Sequence, residues 1–195
     1  IKLNGAWEKA LLPSPGKSNL PIASDFISLT EVMSDNDSIL IDGYGKSSDW
    51  IEVYNSNIDS VSLDGFTLSD DIEDINKWAF PDVYIQSEQY LIVFASKEES
   101  THNEIHTNFK ISSSGEEILL GFKGELIETI PSTALATDQS LIKIDGIWQK
   151  SLEPSPTKEN IKQQNFVQFS RPAGLYADEF HLKLSDVTTG RIIRY

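Results

Sequence analysis

Apolar and polar positions alternate most clearly at Asp49-Trp50-Ile51-Glu52-Val53-Tyr54-Asn55. Ile51 and Val53 point one way there, and Trp50, Glu52 and Tyr54 the other. The same alternation predicts a strand at Phe26–Val32, with Ile27, Leu29 and Val32 towards a core. Val61–Leu68 carries the anchors Leu63, Phe66 and Leu68 around a bend or bulge at Gly65. Lys77–Pro81 is short, and its proline places it at an edge. Tyr90–Ala95 is apolar on both faces and reads as a central strand. Phe109–Ile111, Glu116–Phe122 and Leu126–Ile130 follow, the last two joined by a tight Lys123-Gly124 turn. Ser140–Ile144 and Gly146–Trp148 close the run. Lys97–Glu104 is the one stretch with room for a helical turn.

About nine short strands at roughly 8–15-residue spacing, with no amphipathic helix, predict an all-β chain folded as an antiparallel β-sandwich. After Asn160 the pattern changes. Phe166–Ser170, Phe180–Ser185 and Gly190–Tyr195 read as strands of a second β-domain covering 161–195.

The opening of the chain returns later. Residues 1–19 align without gaps on residues 142–160, with roughly half the positions identical, among them the Gly-x-Trp-x-Lys and Pro-Ser-Pro stretches. A period of roughly 140 residues is a domain-sized repeat. Residues 1–20 therefore read as the C-terminal remnant of a preceding copy, and residues 1–12 as strand-forming chain that pairs with a neighbouring sheet or chain.

Four stretches together resemble the lamin tail domain: Leu29–Val32, Asp49–Asn55, Leu63–Asp70 and Lys77–Pro81. Phe109–Ile118 is similar to that family's strand-turn-strand. Ser140 and Pro154-Ser155-Pro156-Thr157-Lys158-Glu159-Asn160 are similar to its close, with Thr157 where the family has glycine and Gly16 keeping it in the partial copy. The resemblance covers 26–160 and implies an immunoglobulin-like sandwich. Its fold-signature residues are Asp49, Trp50, Glu52, Asn55, Gly65, Trp78, Phe80 and Gly115. Residues 169–195 resemble the start of a chitobiase/β-hexosaminidase C-terminal-type β-domain. Such pairings imply a non-catalytic spacer or adhesion-type module of an exported multidomain bacterial protein, extracellular or at the cell surface. Its partners would be protein or carbohydrate there, and neighbouring domains of the same chain.

Charge narrows the partners. A formal net charge of -14 disfavours nucleic acid and anionic membrane surfaces. No apolar run approaches the ~20 residues that span a bilayer, so membrane insertion is not expected. The absence of cysteine removes disulfides, thiolate metal sites and cysteine nucleophiles.

Candidate chemistry is sparse, and no cofactor is implied. Asp35, Asp37, Asp70 and Asp71 lie in carboxylate-rich loops that could contribute oxygens to Ca2+, but without EF-hand spacing. Solvated acidic loops are the plainer reading. His102-Asn103-Glu104-Ile105-His106 lacks the His-Glu-x-x-His spacing and a third ligand, so its histidines read as surface residues. His181 has no identifiable partner. Trp50, Trp78, Trp148, Tyr54 and Tyr90 could stack on sugars, although sandwich cores bury aromatics routinely. Tyr44, in a glycine loop, is the best exposed ligand candidate. A carbohydrate-binding accessory module, with or without Ca2+ assistance, is the alternative function; no hydrolase or nucleotide-binding motif is present.

Overall fold

A computed structural model describes residues 22–101 and 103–161, together with the backbone of four short strands outside them. Two units are distinguished, Ile1–Asn160 and Ile161–Tyr195.

In the first unit, β1 (Lys2–Leu3) and β2 (Ala6–Trp7) form an antiparallel ladder of their own, with Lys2 opposite Trp7 and Leu3 opposite Ala6. A single 3-10 turn at Ala23–Asp25 leads into β3 (Ile27–Met33). The chain continues through β4 (Asp49–Asn55), β5 (Val61–Ser62), β6 (Phe66–Ser69), β7 (Trp78–Ala79) and β8 (Tyr84–Ile85). β9 (Tyr90–Ala95), β10 (Ile105–His106), β11 (Ile118–Phe122), β12 (Glu125–Ile130), β13 (Ser140–Ile144) and β14 (Ile147–Ser151) complete it. In the second unit β15 (Val167–Phe169) pairs antiparallel with β16 (Leu184–Asp186). The strands expected at Phe180–Ser185 and Gly190–Tyr195 otherwise lie outside the described residues, as does His181.

Two sheets build the sandwich. One has the order β10-β9-β4-β3-β13-β14, the other β12-β11-β6-β7, and β5 pairs with β8 in a separate ribbon. All ladders are antiparallel except β9 with β10, which is parallel. The core between the sheets takes Leu29, Val32, Ile51 and Val53 from the first and Phe66, Leu68, Ile118, Leu120 and Ile130 from the second. β4 is flanked along its whole length by β3 and β9, so the strand with the clearest alternation is interior.

The tight turn forms as its residues dictate: Lys123 and Gly124 both adopt positive φ, as a two-residue hairpin with the right twist demands. Gly65 also has positive φ, and it splits Val61–Leu68 into β5 and β6. At Gly115 (φ 96°) an added Cβ would lie 2.7 Å from the Thr133 carbonyl carbon, so both backbone angle and space require glycine.

Four expectations are corrected. Lys97–Glu104 makes no helical turn among its described residues; Lys97 takes positive φ, and the chain crosses to β10 in bends. Phe109–Ile111 is not a strand. Phe109 and Ile111 are buried, but pairing is limited to one bridge between Lys110 and Ser96. Tyr90–Ala95 has only the two-residue β10 on its far side, and its first three residues are half-buried. His106 is 2 % exposed and so is no surface histidine, while His102 lies outside the described residues.

Both faces of β4 are covered. Trp50, Met33 and Phe94 form a second apolar cluster on the outer face, closed by Ile39, Leu40 and Ile92. Trp50 is 0 % exposed. Trp50→Ala should therefore cost ~3–5 kcal/mol, the range for emptying a buried aromatic site. The check is a lower urea midpoint with an unchanged slope.

Candidate functional site

The polar groups of the outer face of β4 are organised by one irregularity in β3. Leu29 lies opposite Val53, but Glu31 rather than Thr30 lies opposite Glu52, so Thr30 is an extra residue in the ladder. That bulge resets the alternation: Leu29 and Val32 both reach the core, and Glu31 turns to the outer face beside Glu52. It also frees the Leu29 N–H, which donates to Glu128 Oε2 at 3.0 Å. Glu128 pairs in turn with Lys143. One carboxylate of β12 thus ties the two sheets together at the bulge.

Glu31 and Glu52 are each 0 % exposed, and no cation pairs with either among the described residues. Their oxygens are met by hydrogen-bond donors. Thr30 Oγ1 donates to Glu52 Oε1 at 2.6 Å, and the Thr157 N–H donates to Glu52 Oε2 at 2.6 Å. The Ser155 N–H reaches both Glu31 oxygens at 3.2 and 3.1 Å, and its hydroxyl reaches Oε2 at 3.3 Å. Asn160 Nδ2 donates to the Thr30 carbonyl at 2.8 Å. The Pro154–Asn160 segment is therefore a clasp, laid over the two glutamates and anchored at three points.

Burial pushes the Glu52 carboxyl up to about 7, against the pull of Thr30 and Thr157; the charge of Glu31 adds to the rise. Burial also raises Glu31, with Ser140 and Ser155 pulling partway back. Asp49, at the head of the strand, is pushed up to about 6, again mainly by burial.

Asn55, at the other end of β4, is a pin. Its Nδ2 donates to the carbonyls of Asp59, Ile85 and Gln86, and its Oδ1 accepts the Asn57 N–H. Trp78 is half-buried and meets Phe80 edge-on at 4.8 Å between ring centroids.

The acidic residues bond within their own loops and to neighbouring ones. Asp35 accepts from the Thr137 hydroxyl, Asp70 pairs with Lys77, and Asp71 accepts the Glu73 N–H. The N–H groups of Asp37 and Ser38 both donate to Asp138, whose carboxyl is held low by these bonds and by the Ser38 hydroxyl. Among the described residues no three acidic or histidine side chains converge as a metal site would require.

Tyr44 is 45 % exposed, but its hydroxyl donates to the Glu99 carbonyl and its ring meets His106 edge-on. It pins a loop. Beneath it His106 Nδ1 lies 2.8 Å from Ser96 Oγ, and its Nε2 lies 3.5 Å from Glu104 Oε2. This row superficially matches a Ser-His-acid triad. Ser96 is buried, however, and its Oγ already accepts the Glu98 N–H, while Glu104 Oε2 accepts the Gly43 N–H at 2.6 Å. The row joins three loops and does not present a nucleophile. Burial pushes Asp42 up, but the Ser48 hydroxyl and the N–H groups of Lys46 and Tyr44 outweigh it and hold the carboxyl below its usual range.

The geometry defines an immunoglobulin-like antiparallel β-sandwich whose recurrent residues Trp50, Glu52 and Asn55 support the fold. The chain belongs to the lamin tail domain family, whose model matches residues 23–133, more than half of its length. No curated protein matches it. The matched region ends before β13, β14 and the clasp.

Sequence reasoning singled out Glu52 but missed its partner Glu31, the clasp anchors and buried His106. The signal for the clasp was present in the repetition of Pro-Ser-Pro-x-Lys-x-Asn.

Two predictions follow from the clasp. An acid whose folded pKa is raised stabilises fully below its unfolded pKa, and that contribution is lost as pH rises through the folded value. For Glu52 the window is 4.5 to about 7, for Asp49 it is 3.8 to about 6, and Glu31 acts in the same direction. Asp42 and Asp138 act oppositely, but only as pH falls below the ordinary aspartate range. Thermal stability should therefore fall between pH 5 and pH 8. The Glu52 share is on the order of 3 kcal/mol at ~1.4 kcal/mol per unit, and Glu52→Gln should flatten the slope of Tm against pH. Separately, Thr157 is β-branched yet sits at φ 63°. Thr157→Gly should raise stability by about 0.5–1 kcal/mol, strain relief exceeding the added chain entropy, as measured by urea unfolding.

Proposed function

We propose that this chain is a non-catalytic spacer and binding module of an exported multidomain bacterial protein at the cell surface. One observation carries the reading: the residues that distinguish the signature strand are spent on holding the fold. Trp50 is sealed in an apolar cluster, Glu52 lies under the clasp, and Asn55 pins three carbonyls. The lamin tail sandwich is consistent with a structural role, and the acidic, cysteine-free composition suits an exported protein. Residues 161–195 would begin a second β-domain, of the chitobiase C-terminal type.

The aromatic residues weigh against the carbohydrate-binding alternative. Trp50 is inaccessible, Trp78 and Trp148 are half-buried against the core, and the Tyr44 hydroxyl is engaged. An exposed stacking strip would need their faces free.

Three measurements test the proposal. The melting temperature should not differ between EDTA and millimolar CaCl2, and the chain should be retained by no sugar on a glycan array. A calcium-dependent rise in Tm, or sugar retention that Tyr44→Ala abolishes, would favour the accessory-module function instead. An antibody against the chain should label intact cells of the source organism; labelling only after lysis would overturn the exported assignment.

A further inference from the structure

The two copies of the repeated stretch share a backbone arrangement as well as a sequence. In β13–β14, Lys143 lies opposite Trp148 and Ile144 opposite Ile147. In β1–β2, Lys2 lies opposite Trp7 and Leu3 opposite Ala6. Under the gapless alignment these are the same register at the same positions. The turn residues correspond in sequence too. Asp145 and Gly146 take positive φ, and the first copy has Asn4-Gly5 there, the dipeptide best suited to such a turn.

The differences between the copies are distributed unevenly. Residues 142–160 differ from residues 1–19 at Ile144, Asp145, Ile147, Gln149, Ser151, Glu153, Thr157 and Glu159. All of these are exposed or half-exposed except Ser151. Apart from Ser151, the positions that seat the hairpin and clasp on the sandwich are kept, together with the exposed Gly146, Lys150, Leu152 and Lys158. Ile142 lies opposite Glu31 on β3 and is 2 % exposed; the first copy has Ile1. Ser155 and Asn160, which anchor the clasp on Glu31 and Thr30, correspond to Ser14 and Asn19. Thr157, which binds Glu52 through its N–H at positive φ, corresponds to Gly16, the residue that takes that φ without strain. Turn chemistry alone would preserve the prolines and the turn glycine. It gives no reason to preserve the serine and asparagine that anchor a glutamate seat.

We infer that residues 1–19 supply a closing element, hairpin plus clasp, whose binding partner is the open β3-type edge and buried glutamate pair of another lamin tail body. The inference rests on the multidomain reading for the existence of that second body. The recognition chemistry is specific: an Ile-x-x-x-Gly-x-Trp hairpin adds to the sheet, and a Pro-Ser-Pro-Gly-x-x-Asn segment delivers two N–H groups, a hydroxyl and an amide to two carboxylates and a bulge carbonyl.

The test is a transplant within the full chain: residues 142–160 are replaced by the sequence of residues 1–19. The transplanted chain should fold, melt within about 5 °C of the parent, a shift on the scale of 1 kcal/mol, and keep slow amide exchange at the position of Thr157. Adding Ser→Ala and Asn→Ala at the two transplanted anchors should lower Tm further and abolish that protection. A transplant that melts no higher than its anchorless version overturns the inference. Should the transplant fail to fold, Ser151, whose hydroxyl bonds the backbone of Glu153, is restored. Recovery then supports the inference, and continued failure overturns it. None of these outcomes depends on calcium, sugar or surface location, so failure here is separable from failure of the proposed function.

Discussion

Two carboxylates that no cation among the described residues pairs with, side by side beneath a strip of backbone, set the terms for this sandwich. Burying an acid costs several kcal/mol unless its oxygens are satisfied. This chain answers with hydrogen-bond donors: the Thr30 hydroxyl, the N–H of Ser155 and of Thr157, and the Ser155 hydroxyl. The donors of Ser155 and Thr157 come from more than a hundred positions further along the chain. The two glutamates therefore make closure cooperative. Without the clasp the outer face of β3 and β4 would hold unsatisfied acids; without the acids the clasp would have no seat.

The same bulge that pairs the glutamates also locks the sheets. Thr30 displaces the ladder by one residue, Glu31 comes to face Glu52, and the Leu29 N–H is released towards Glu128. Glu128 belongs to the edge strand of the other sheet, and Lys143 belongs to β13 of the first. A single inserted residue thus connects the core alternation, the acid pair and the seam between sheets. β12 is bulged near Leu120 and Gly121 as well, which spoils it as a template for further strand pairing.

Much of this was legible in the sequence where local chemistry decides. Lys123-Gly124 named its own turn, Gly65 its own bend, and the 50–54 alternation its own interior strand. The gap between Leu29 and Val32 broke the period of two, and that break is the bulge. It stayed unread because one missed alternation in a seven-residue strand has several explanations, and only the partner strand decides among them. His106 was misread for the same kind of reason. Its neighbours His102, Asn103 and Glu104 are polar, so the local pattern says surface. Its burial comes from Phe94 stacked on one side and Tyr44 edge-on from a loop some sixty residues earlier. Lys97–Glu104 carried helix-forming residues, but the crossing to the parallel strand β10 overrode their propensity.

The buried polar groups show how a fold can carry the ingredients of catalysis and use them for architecture. A serine, a histidine and a glutamate stand in a row, and two acids lie adjacent with raised pKa values. Perturbed acids often mark active sites. What separates these from an active site is where their remaining valences go. Ser96 Oγ is taken by Glu98, Glu104 by Gly43, and the glutamate pair by the clasp. A catalytic group must keep one hydrogen-bonding direction open to a substrate. Ser96, Glu104 and the glutamate pair are instead bonded to other groups of the chain, while His106 Nε2 has no hydrogen-bond partner among the described residues. Such closure fits a structural module, in which the β13–β14 hairpin and the clasp complete the sandwich.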